Sequence, residues 1–242
     1  MLKHLLTGLY DLVYPPHCPI CRKHLTFPDS DKILCLDCRD RLIRNTPPFC
    51  PKCSRHLDDI GLPRCLPCRE EPHQFDFAWA ACLYKDPLRE LIIQFKYNQK
   101  TRLRRPLARC VTDFVQTYDL DIRQFDCLVP VPLHPVRLRE RGYNQALLLA
   151  EHIAAAYQIP LSAGNLVRAR NTKQQTLLSE KERWTNVHGA FRINHPAWFF
   201  RKNILIIDDL LTTGATVSEA AGELKHAGAG TVGVLTLAIT AK

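Results

Sequence analysis

Two adjacent carboxylates are the residues of this chain most suited to chemistry. Asp208 and Asp209 directly follow the apolar residues 204–207, in a chain whose formal net charge is +9. At the end of a buried strand, two neighbouring acids repel each other and lose hydration, so a ligand or a metal ion must compensate them. An ordinary surface turn is therefore disfavoured, and the pair is predicted to bind a ligand.

The segment after the two acids has the composition of a phosphate-binding loop. A strand that runs into small residues and then into a helix presents backbone N–H groups to an anion, and threonine hydroxyls add donors. The segment has neither the Gly-Lys-Ser/Thr of a Walker loop nor the glycines of a Rossmann fingerprint. A ribose fits, because its hydroxyls can donate to the carboxylates while its 5′-phosphate lies in the loop. The loop residues are Thr212, Thr213, Gly214, Ala215 and Thr216.

Eight of the eleven cysteines form four Cys-x-x-Cys pairs within the first 68 residues. Each pair can bring two thiolates to a zinc ion and two pairs complete a tetrahedron, so we expect one or two zinc sites, with a structural role favoured. A disulfide framework would suit a secreted chain, which this sequence does not resemble. The pairs could combine in chain order or interleave, and pairing in chain order closes shorter loops. The predicted ligands are Cys18, Cys21, Cys35, Cys38, Cys50, Cys53, Cys65 and Cys68.

A basic segment, residues 95–109, holds six Lys or Arg residues and no acid. Aromatic side chains among cations are typical of surfaces that stack on single-stranded bases and pair with phosphates. A solvated connection between two helices is the alternative, and Lys96 alone could instead point into the ligand site. The nucleic-acid candidates are Lys96, Tyr97, Lys100, Arg102, Arg104 and Arg105.

A second basic cluster consists of Arg137, Arg139 and Arg141, which lie within five residues of one another. They follow a predicted strand at 125–132, and ligands of α/β proteins bind where strands end. Anion binding is therefore favoured over a mere helix-start loop.

Apolar periodicity predicts the elements that must position these residues. The alternation of strands with helices predicts an α/β fold in which helices flank a parallel sheet. Residues 1–75 are instead rich in Cys and Pro, so we expect a short amphipathic helix and a zinc-binding region there, and the α/β domain at 76–242. Strands are predicted at 75–84, 125–132, 203–208 and 231–239, and helices at 86–97, 104–117, 144–158 and 215–228.

Hydrophobic runs are too short for a membrane helix, which needs roughly 18 apolar residues. The leucines near the N-terminus are interrupted by charged residues, and no small-residue cleavage site of a signal peptide follows. Neither membrane insertion nor secretion is expected, and a cytoplasmic location is predicted.

Ordered motifs over nearly the whole chain resemble the ComF family. They are the Cys-x-x-Cys region, FKY (95–97), VPVPLHPVRLRERGYNQA (129–146), RNTKQQTLLSEKERWTNVHGAF (170–191) and the acid-threonine motif. The last of these resembles the phosphoribosyl-pyrophosphate (PRPP) motif of type I phosphoribosyltransferases. The resemblance implies a fold similar to those enzymes after an N-terminal zinc finger, and a role in the uptake or use of external DNA, as in competence and natural transformation.

The resemblance also implies roles for single residues. Asp208 and Asp209 would hold the ribose hydroxyls, the threonine loop would hold the 5′-phosphate, and Mg²⁺ would bridge the pyrophosphate and ribose oxygens. Residues 168–183 match a mobile hood loop, whose cations would cap a pyrophosphate leaving group. These cations are Arg168, Arg170, Lys173, Lys181 and Arg183.

Three functional hypotheses are compatible with these features. The first is a PRPP-binding protein of the phosphoribosyltransferase type, for which the sequence shows no acceptor pocket and leaves catalysis open. The second is a non-catalytic single-stranded DNA-binding module that uses the transferase fold as a platform. The third is an adaptor that docks other proteins of a DNA-import machine. PRPP or a related sugar phosphate, single-stranded DNA and DNA-uptake proteins are therefore the predicted partners.

Overall fold

A computed structural model describes residues 15–25, 33–57, 61, 63–173 and 179–240 of the chain. The predicted N-terminal helix lies outside the described residues. Helices α1–α8 span Leu36–Asp40, Leu66–Glu70, Leu88–Tyr97, Arg104–Thr117, Pro135–Arg141, Gln145–Tyr157, Glu180–Val187 and Ala215–His226. Strands β1–β6 span Phe77–Leu83, Cys127–Pro130, Leu166–Arg168, Phe191–Ile193, Ile204–Leu211 and Val232–Ile239.

Four parallel strands in the order β1-β6-β5-β2 form the central sheet. Every residue of β6 is buried, as expected for a parallel strand covered on both faces. Alternate residues of β5 belong to different apolar clusters: Leu205 packs with α4 and α6, whereas Ile206 packs with α8. Helices therefore cover both faces of a parallel sheet, and the predicted α/β class is confirmed.

Strand β5 continues further than the sequence pattern predicts. The prediction ends the strand at residue 208, whereas the structure extends it to Leu211. Asp208 lies opposite Thr236, and Leu210 and Leu211 pair with the end of β6. Cross-strand pairing with an apolar neighbour therefore carries the strand through both acids, and the two carboxylates lie on a strand rather than on a loop.

A smaller unit covers the carboxyl end of the sheet. Strands β3 and β4 form an antiparallel pair, and α7 lies between them in the chain. A capping box begins α7, because the Ser179 hydroxyl accepts from the Glu182 amide and Glu182 reaches back to Ser179. We call the described residues of 166–193 the hood segment; residues 174–178 lie outside the description.

Two similar cysteine-rich turns precede the sheet. In the first turn, the Cys18 N–H donates to the Lys23 carbonyl, and the Leu25 N–H donates to the Pro16 carbonyl. The second turn has the same two hydrogen bonds, from the Cys50 N–H to the Arg55 carbonyl and from the Leu57 N–H to the Pro48 carbonyl. We call these units the first and second ribbon. The internal repeat was not predicted, although the sequence carries it: residues 15–25 (PPHCPICRKHL) and 47–57 (PPFCPKCSRHL) are identical at seven of eleven positions.

The second ribbon and the chain before it extend the edge of the sheet. Leu83 N–H donates to the Ile43 carbonyl, and Ala78 N–H donates to that of Lys52. The buried Asn45 amide bridges the Ser54 and Ala80 carbonyls. The cysteine-rich region therefore shares hydrogen bonds and core with the α/β part. No helix in the described ranges is long and apolar enough to cross a membrane.

Candidate functional site

The two acids form the floor of a cleft at the carboxyl end of the sheet, where ligands of open α/β sheets bind. Asp209 is buried, and its Oδ2 lies 2.5 Å from the Nζ of Lys96. Its Oδ1 accepts from Gln145 Nε2 at 3.2 Å. Asp208 is half-buried and its Oδ1 accepts from the Asp209 amide at 2.8 Å. One acid is thus neutralised within the protein, while the other faces the cleft without a cation at ion-pair distance among the described residues.

Protonation differs between the members of this cluster. Burial, followed by the charge of Asp209, raises the pKa of Asp208 to about 7, and Lys96 only partly opposes this. Burial lowers the pKa of Lys96, but the charge and hydrogen bond of Asp209 outweigh it, so this pKa lies above its ordinary value. Lys96 therefore stays cationic, whereas Asp208 can lose or gain a proton near neutral pH.

Helix α3 positions Lys96 in this site. Its buried face packs Leu88, Leu91 and Phe95 into the core, and Lys96 follows in the last turn, where a cation also suits the helix dipole. The sequence allowed two positions for Lys96, a nucleic-acid surface or the ligand site, and in the structure it lies in the ligand site.

The threonine loop joins β5 to α8 and closes one end of the cleft. Gly214 has a φ of +85°, a conformation that favours glycine, and precedes the first residue of α8. Thr213 Oγ1 accepts from the Ala215 amide at 3.4 Å. Thr212, Gly214 and Thr216 line the cleft, whereas Thr213 and Ala215 are not among its lining residues.

The walls of the cleft are strongly cationic. Among the described residues that line it are six Lys or Arg side chains and two acids. Arg141 lies over the ring of Tyr97 at 5.2 Å, which fixes both side chains at the rim. The cationic lining residues are Lys96, Arg137, Arg141, Arg168, Lys173 and Arg183. The excess of positive charge favours a polyanionic ligand.

Arg168 in β3 is the most distinctive of these cations. Its guanidinium is partly buried, lies 5.4 Å from the ring centre of Phe191 and donates to Thr172 Oγ1 at 2.6 Å. Burial lowers the pKa of Arg168, Asp208 raises it, and Arg170 and Arg137 lower it further. No described carboxylate lies within ion-pair distance of Arg168, so an anion in the cleft would supply its missing counter-charge.

Two predicted anion-binding arginines are not brought to the cleft. Arg139 is exposed on α5 and is absent from the lining. Arg170 donates to the backbone carbonyls of Asn186 and His188, and so connects two parts of the hood segment to each other. Sequence reasoning also missed Gln145 and Tyr97 as parts of this cleft, because only the tertiary fold brings them there.

The basic segment 95–109 is divided between two environments. Lys96 and Tyr97 face the cleft. Lys100 Nζ donates to Gln94 Oε1 at 2.7 Å, at the end of α3. The remaining members of the predicted nucleic-acid set lie exposed at the start of α4 and are Arg102, Arg104 and Arg105.

The eight paired cysteines form two groups of four in chain order. Within each group the sulfur atoms lie within 4.8 Å of one another. Sulfur–sulfur distances of 3.6 Å between Cys21 and Cys35 and 3.5 Å between Cys53 and Cys65 approach the roughly 3.8 Å expected around one tetrahedral Zn²⁺. Backbone N–H groups point at the Sγ atoms of Cys35 and Cys50, as suits thiolates. Both groups therefore fit zinc, and the interleaved arrangement is excluded.

Comparisons with known proteins agree with this architecture. Residues 9–69 match the double zinc ribbon domain family. The chain is 31% identical to Competence protein F of Haemophilus influenzae over 68% of this chain and 73% of that protein. It is also 31% identical to the DNA utilization protein YhgH of Salmonella typhimurium over 95% of this chain and 99% of that one.

Among solved structures, a purine phosphoribosyltransferase from Pyrococcus horikoshii matches 55% of this chain and 69% of its own, with 16% identity and a TM-score of 0.32. The class defined by the fold and the cysteines is an α/β protein with an N-terminal double zinc ribbon. The chain belongs to the family of Competence protein F and the YhgH DNA utilization proteins, the ComF family.

Proposed function

We propose that the cleft binds PRPP, or a closely related sugar phosphate with a 5′-phosphate and a pyrophosphate. The observation that carries the proposal is the placement of two carboxylates on the floor of a cleft whose other charged lining residues are cations. In a site that binds only an anion, acidic side chains would repel the ligand. A ligand with hydroxyl groups next to its phosphates uses both sets of groups.

Each part of this ligand has partners in the cleft. The carboxylates of Asp208 and Asp209 would accept from the ribose hydroxyls, and the backbone N–H groups before α8 would hold the 5′-phosphate. Arg168, Lys173 and Arg183 would neutralise the pyrophosphate. Carboxylate and phosphate oxygens are the donors that Mg²⁺ prefers, so Asp208 and Asp209 could hold that ion together with the ligand.

The reaction that suits this arrangement is displacement of pyrophosphate from the anomeric carbon. This chain would contribute positioning of the sugar and stabilisation of the leaving charge by Arg168 and Arg183, which requires little acid–base chemistry. The names of the relatives refer to competence and DNA utilization, and we propose a role for the chain in the uptake or use of DNA.

Calorimetry with PRPP and Mg²⁺ tests the binding proposal. The wild type should bind, and an Asp208→Asn/Asp209→Asn double variant should bind at least about tenfold more weakly, a difference of ~1.4 kcal/mol. The matched control is Asp119→Asn/Asp121→Asn, which removes the same charge at exposed positions outside the cleft lining. Equal affinity in the wild type and the cleft variant would contradict the assignment. Release of pyrophosphate in the presence of a panel of nucleobases then tests for turnover.

A second proposed activity is binding of single-stranded DNA at the start of α4. The observation that favours it is the exposure of Arg102, Arg104 and Arg105 in one stretch. Within the described ranges, their one ion-pair contact is a 4.0 Å approach of Arg104 to Glu151. Binding through phosphates must weaken steeply with salt. An affinity that stays constant between low and moderate salt would exclude this activity, and capture of DNA-uptake proteins without DNA would favour an adaptor instead.

A further inference from the structure

The second ribbon contacts the threonine loop directly. Arg55 lies two residues after the predicted zinc ligand Cys53, and its Nη2 donates to the Thr212 carbonyl at 2.6 Å. Thr212 is the first residue after β5 and lines the cleft. One hydrogen bond therefore connects a cysteine turn to the backbone of the proposed phosphate site, over a sequence separation of 157 residues.

The chain that leaves the second ribbon supports the same loop from a second side. A Cβ atom at Gly214 would lie 2.9 Å from Cε1 of His73, so the loop backbone approaches this ring as closely as only glycine permits. The His73 ring stacks on Phe75, with ring centres 4.7 Å apart, and on Trp184 of the hood segment, with ring centres 5.5 Å apart. Two aromatic contacts thus hold the ring in position.

A third contact holds the beginning of α8. The Gln74 amide donates to Ser218 Oγ at 2.9 Å, and the Gln74 side chain packs against Gly222. Arg55, His73 and Gln74 therefore contact the loop and the first turns of the helix whose N–H groups would face the phosphate.

The first ribbon shows that these contacts are not a general property of such a turn. Lys23 occupies the position in the first ribbon that Arg55 occupies in the second, as the matching backbone hydrogen bonds of Cys18 and Cys50 show. Lys23 is exposed and its Nζ lies 3.4 Å from Asp37 within its own ribbon. Among the described residues, the contact with the threonine loop is therefore made by the second ribbon and not by the first.

We propose that the second ribbon is a positioning device for the threonine loop, so that zinc at Cys50, Cys53, Cys65 and Cys68 and anion binding at Thr212–Thr216 are thermodynamically coupled. Zinc fixes the turn that carries Arg55, and Arg55 fixes the Thr212 carbonyl. Coupling between two sites is reciprocal, so an anion in the loop must also tighten zinc binding at this ribbon. The part that concerns ligand affinity rests on the proposed function.

Hydrogen exchange of the zinc-loaded chain, without any ligand, tests the positioning role by itself. The Arg55→Met variant should speed exchange of the amides of residues 215–218 by about tenfold or more, the range of ordinary coupling energies. The Ser218 amide, which donates to the Gly214 carbonyl at 2.8 Å, is the reporter. The control Lys23→Met should leave these amides unchanged, and Arg55→Lys should restore part of the protection.

Equal exchange rates in Arg55→Met and Lys23→Met would overturn the proposal. If Arg55→Met does not fold, His73→Ala provides the same measurement through the second contact, and unchanged exchange there overturns it equally. The hydrogen-exchange experiment contains no sugar phosphate. Failure of the wild type to bind PRPP would therefore contradict the proposed function but would leave the exchange result for the positioning role unchanged.

Zinc release provides the second arm. A chromophoric chelator should remove zinc from the second ribbon about five- to tenfold more slowly when ribose 5-phosphate saturates the chain. Cys18→Ser, which disables the first site, isolates the signal of the second ribbon. Arg55→Met should abolish the protection by ligand, and identical release with and without a ligand that demonstrably binds would contradict the coupling.

Discussion

At the scale of single residues, the contrast between Asp208 and Asp209 is the main electrostatic feature of the cleft. Asp209 has Lys96 as a counter-ion, whereas burial and the charge of Asp209 raise the pKa of Asp208 to about 7. The pKa of this carboxyl group is higher in the folded chain than in the unfolded chain. At pH values between the two, the group is protonated in the folded chain and ionised in the unfolded chain. Stability must therefore fall as pH rises through this window.

Asp208→Asn should remove this pH dependence. Near pH 4 the variant and the wild type should differ little, because folded Asp208 is then protonated. At pH 8 the variant should be the more stable by on the order of 2 kcal/mol, since the wild type must ionise a confined carboxyl group. Urea unfolding at a series of pH values measures this, with Asp119→Asn as the control, and a constant difference between variant and wild type would contradict the pKa assignment.

Gly214 and Gly142 form a matched pair for the close approach of the loop to His73. Both have positive φ values, +85° and +83°, but only Gly214 has a neighbour within 4 Å of an added Cβ. Both Ala variants should lose about 1–2 kcal/mol of stability, because a Cβ atom is unfavourable in the left-handed conformation. Gly214→Ala should lose a further ~1–3 kcal/mol through overpacking.

Thermal unfolding of the two glycine variants measures the difference. Addition of His73→Ala to Gly214→Ala should restore part of the lost stability, because the added methyl group clashes with the His73 ring. Addition of His73→Ala to Gly142→Ala should restore none. Equal destabilisation by the two Ala substitutions would show that the His73 ring moves aside at no cost.

At the scale of elements, α3 is the connection between the first ribbon and the floor of the cleft. Gln94 Nε2 donates to the Pro19 carbonyl at 3.1 Å, and Lys96 in the next half-turn neutralises Asp209. Both side chains of the ion pair are largely protected, with 19% and 3% of their surface exposed. Loss of one partner therefore leaves a charge without compensation.

Lys96→Met should destabilise the fold by ~3 kcal/mol, as removal of one partner of a buried ion pair does. Lys85→Met, at an exposed position just before α3, should cost at most a few tenths of a kcal/mol. The comparison of both unfolding free energies by urea titration tests the pair. A small effect of Lys96→Met would mean that water replaces the ammonium group in the cleft.

Elements with a clear apolar pattern could be predicted from the sequence, including the four-residue strand β2, whereas short elements without such a pattern could not. Strand β6 and helix α4 lie where the apolar pattern predicts them. Helix α5, by contrast, has seven residues, none of them buried, and gives no apolar period. The pairing of Asp209 with Lys96 and of Thr212 with Arg55 depends on crossovers that bring distant segments together, and no local pattern encodes such contacts. The cysteine spacing predicted the zinc ligands, but only the fold decided their grouping.

At the scale of the whole molecule, one core extends through both sequence regions. The buried cluster around Leu107 and Phe95 also contains Cys18, Leu25 and Leu42 of the cysteine-rich part. We propose that residues 1–75 and 76–242 differ in composition but unfold as one unit, since both apolar clusters of the described residues contain members from each region.

Two zinc ions per chain are expected, because the two sets of four thiolates share no ligand. Metal analysis should give one ion in Cys18→Ser and one in Cys53→Ser. Chelation of both ions should lower the unfolding temperature of the entire chain in a single transition, since structural zinc contributes folding free energy. A separate low-temperature transition that leaves the α/β part intact would contradict the shared core.

The stack of His73 on Trp184 has an optical consequence. The chain contains three tryptophans, and Trp184 is the one that belongs to the hood segment and lies against the support of the threonine loop. Trp79 lies in β1, and Trp198 is exposed on a turn before β5. With Trp79→Phe and Trp198→Phe, the chain would carry a single tryptophan at the junction of ribbon, loop and hood. Its emission, excited at a wavelength that tyrosine does not absorb, would record movements of the cleft without an attached dye.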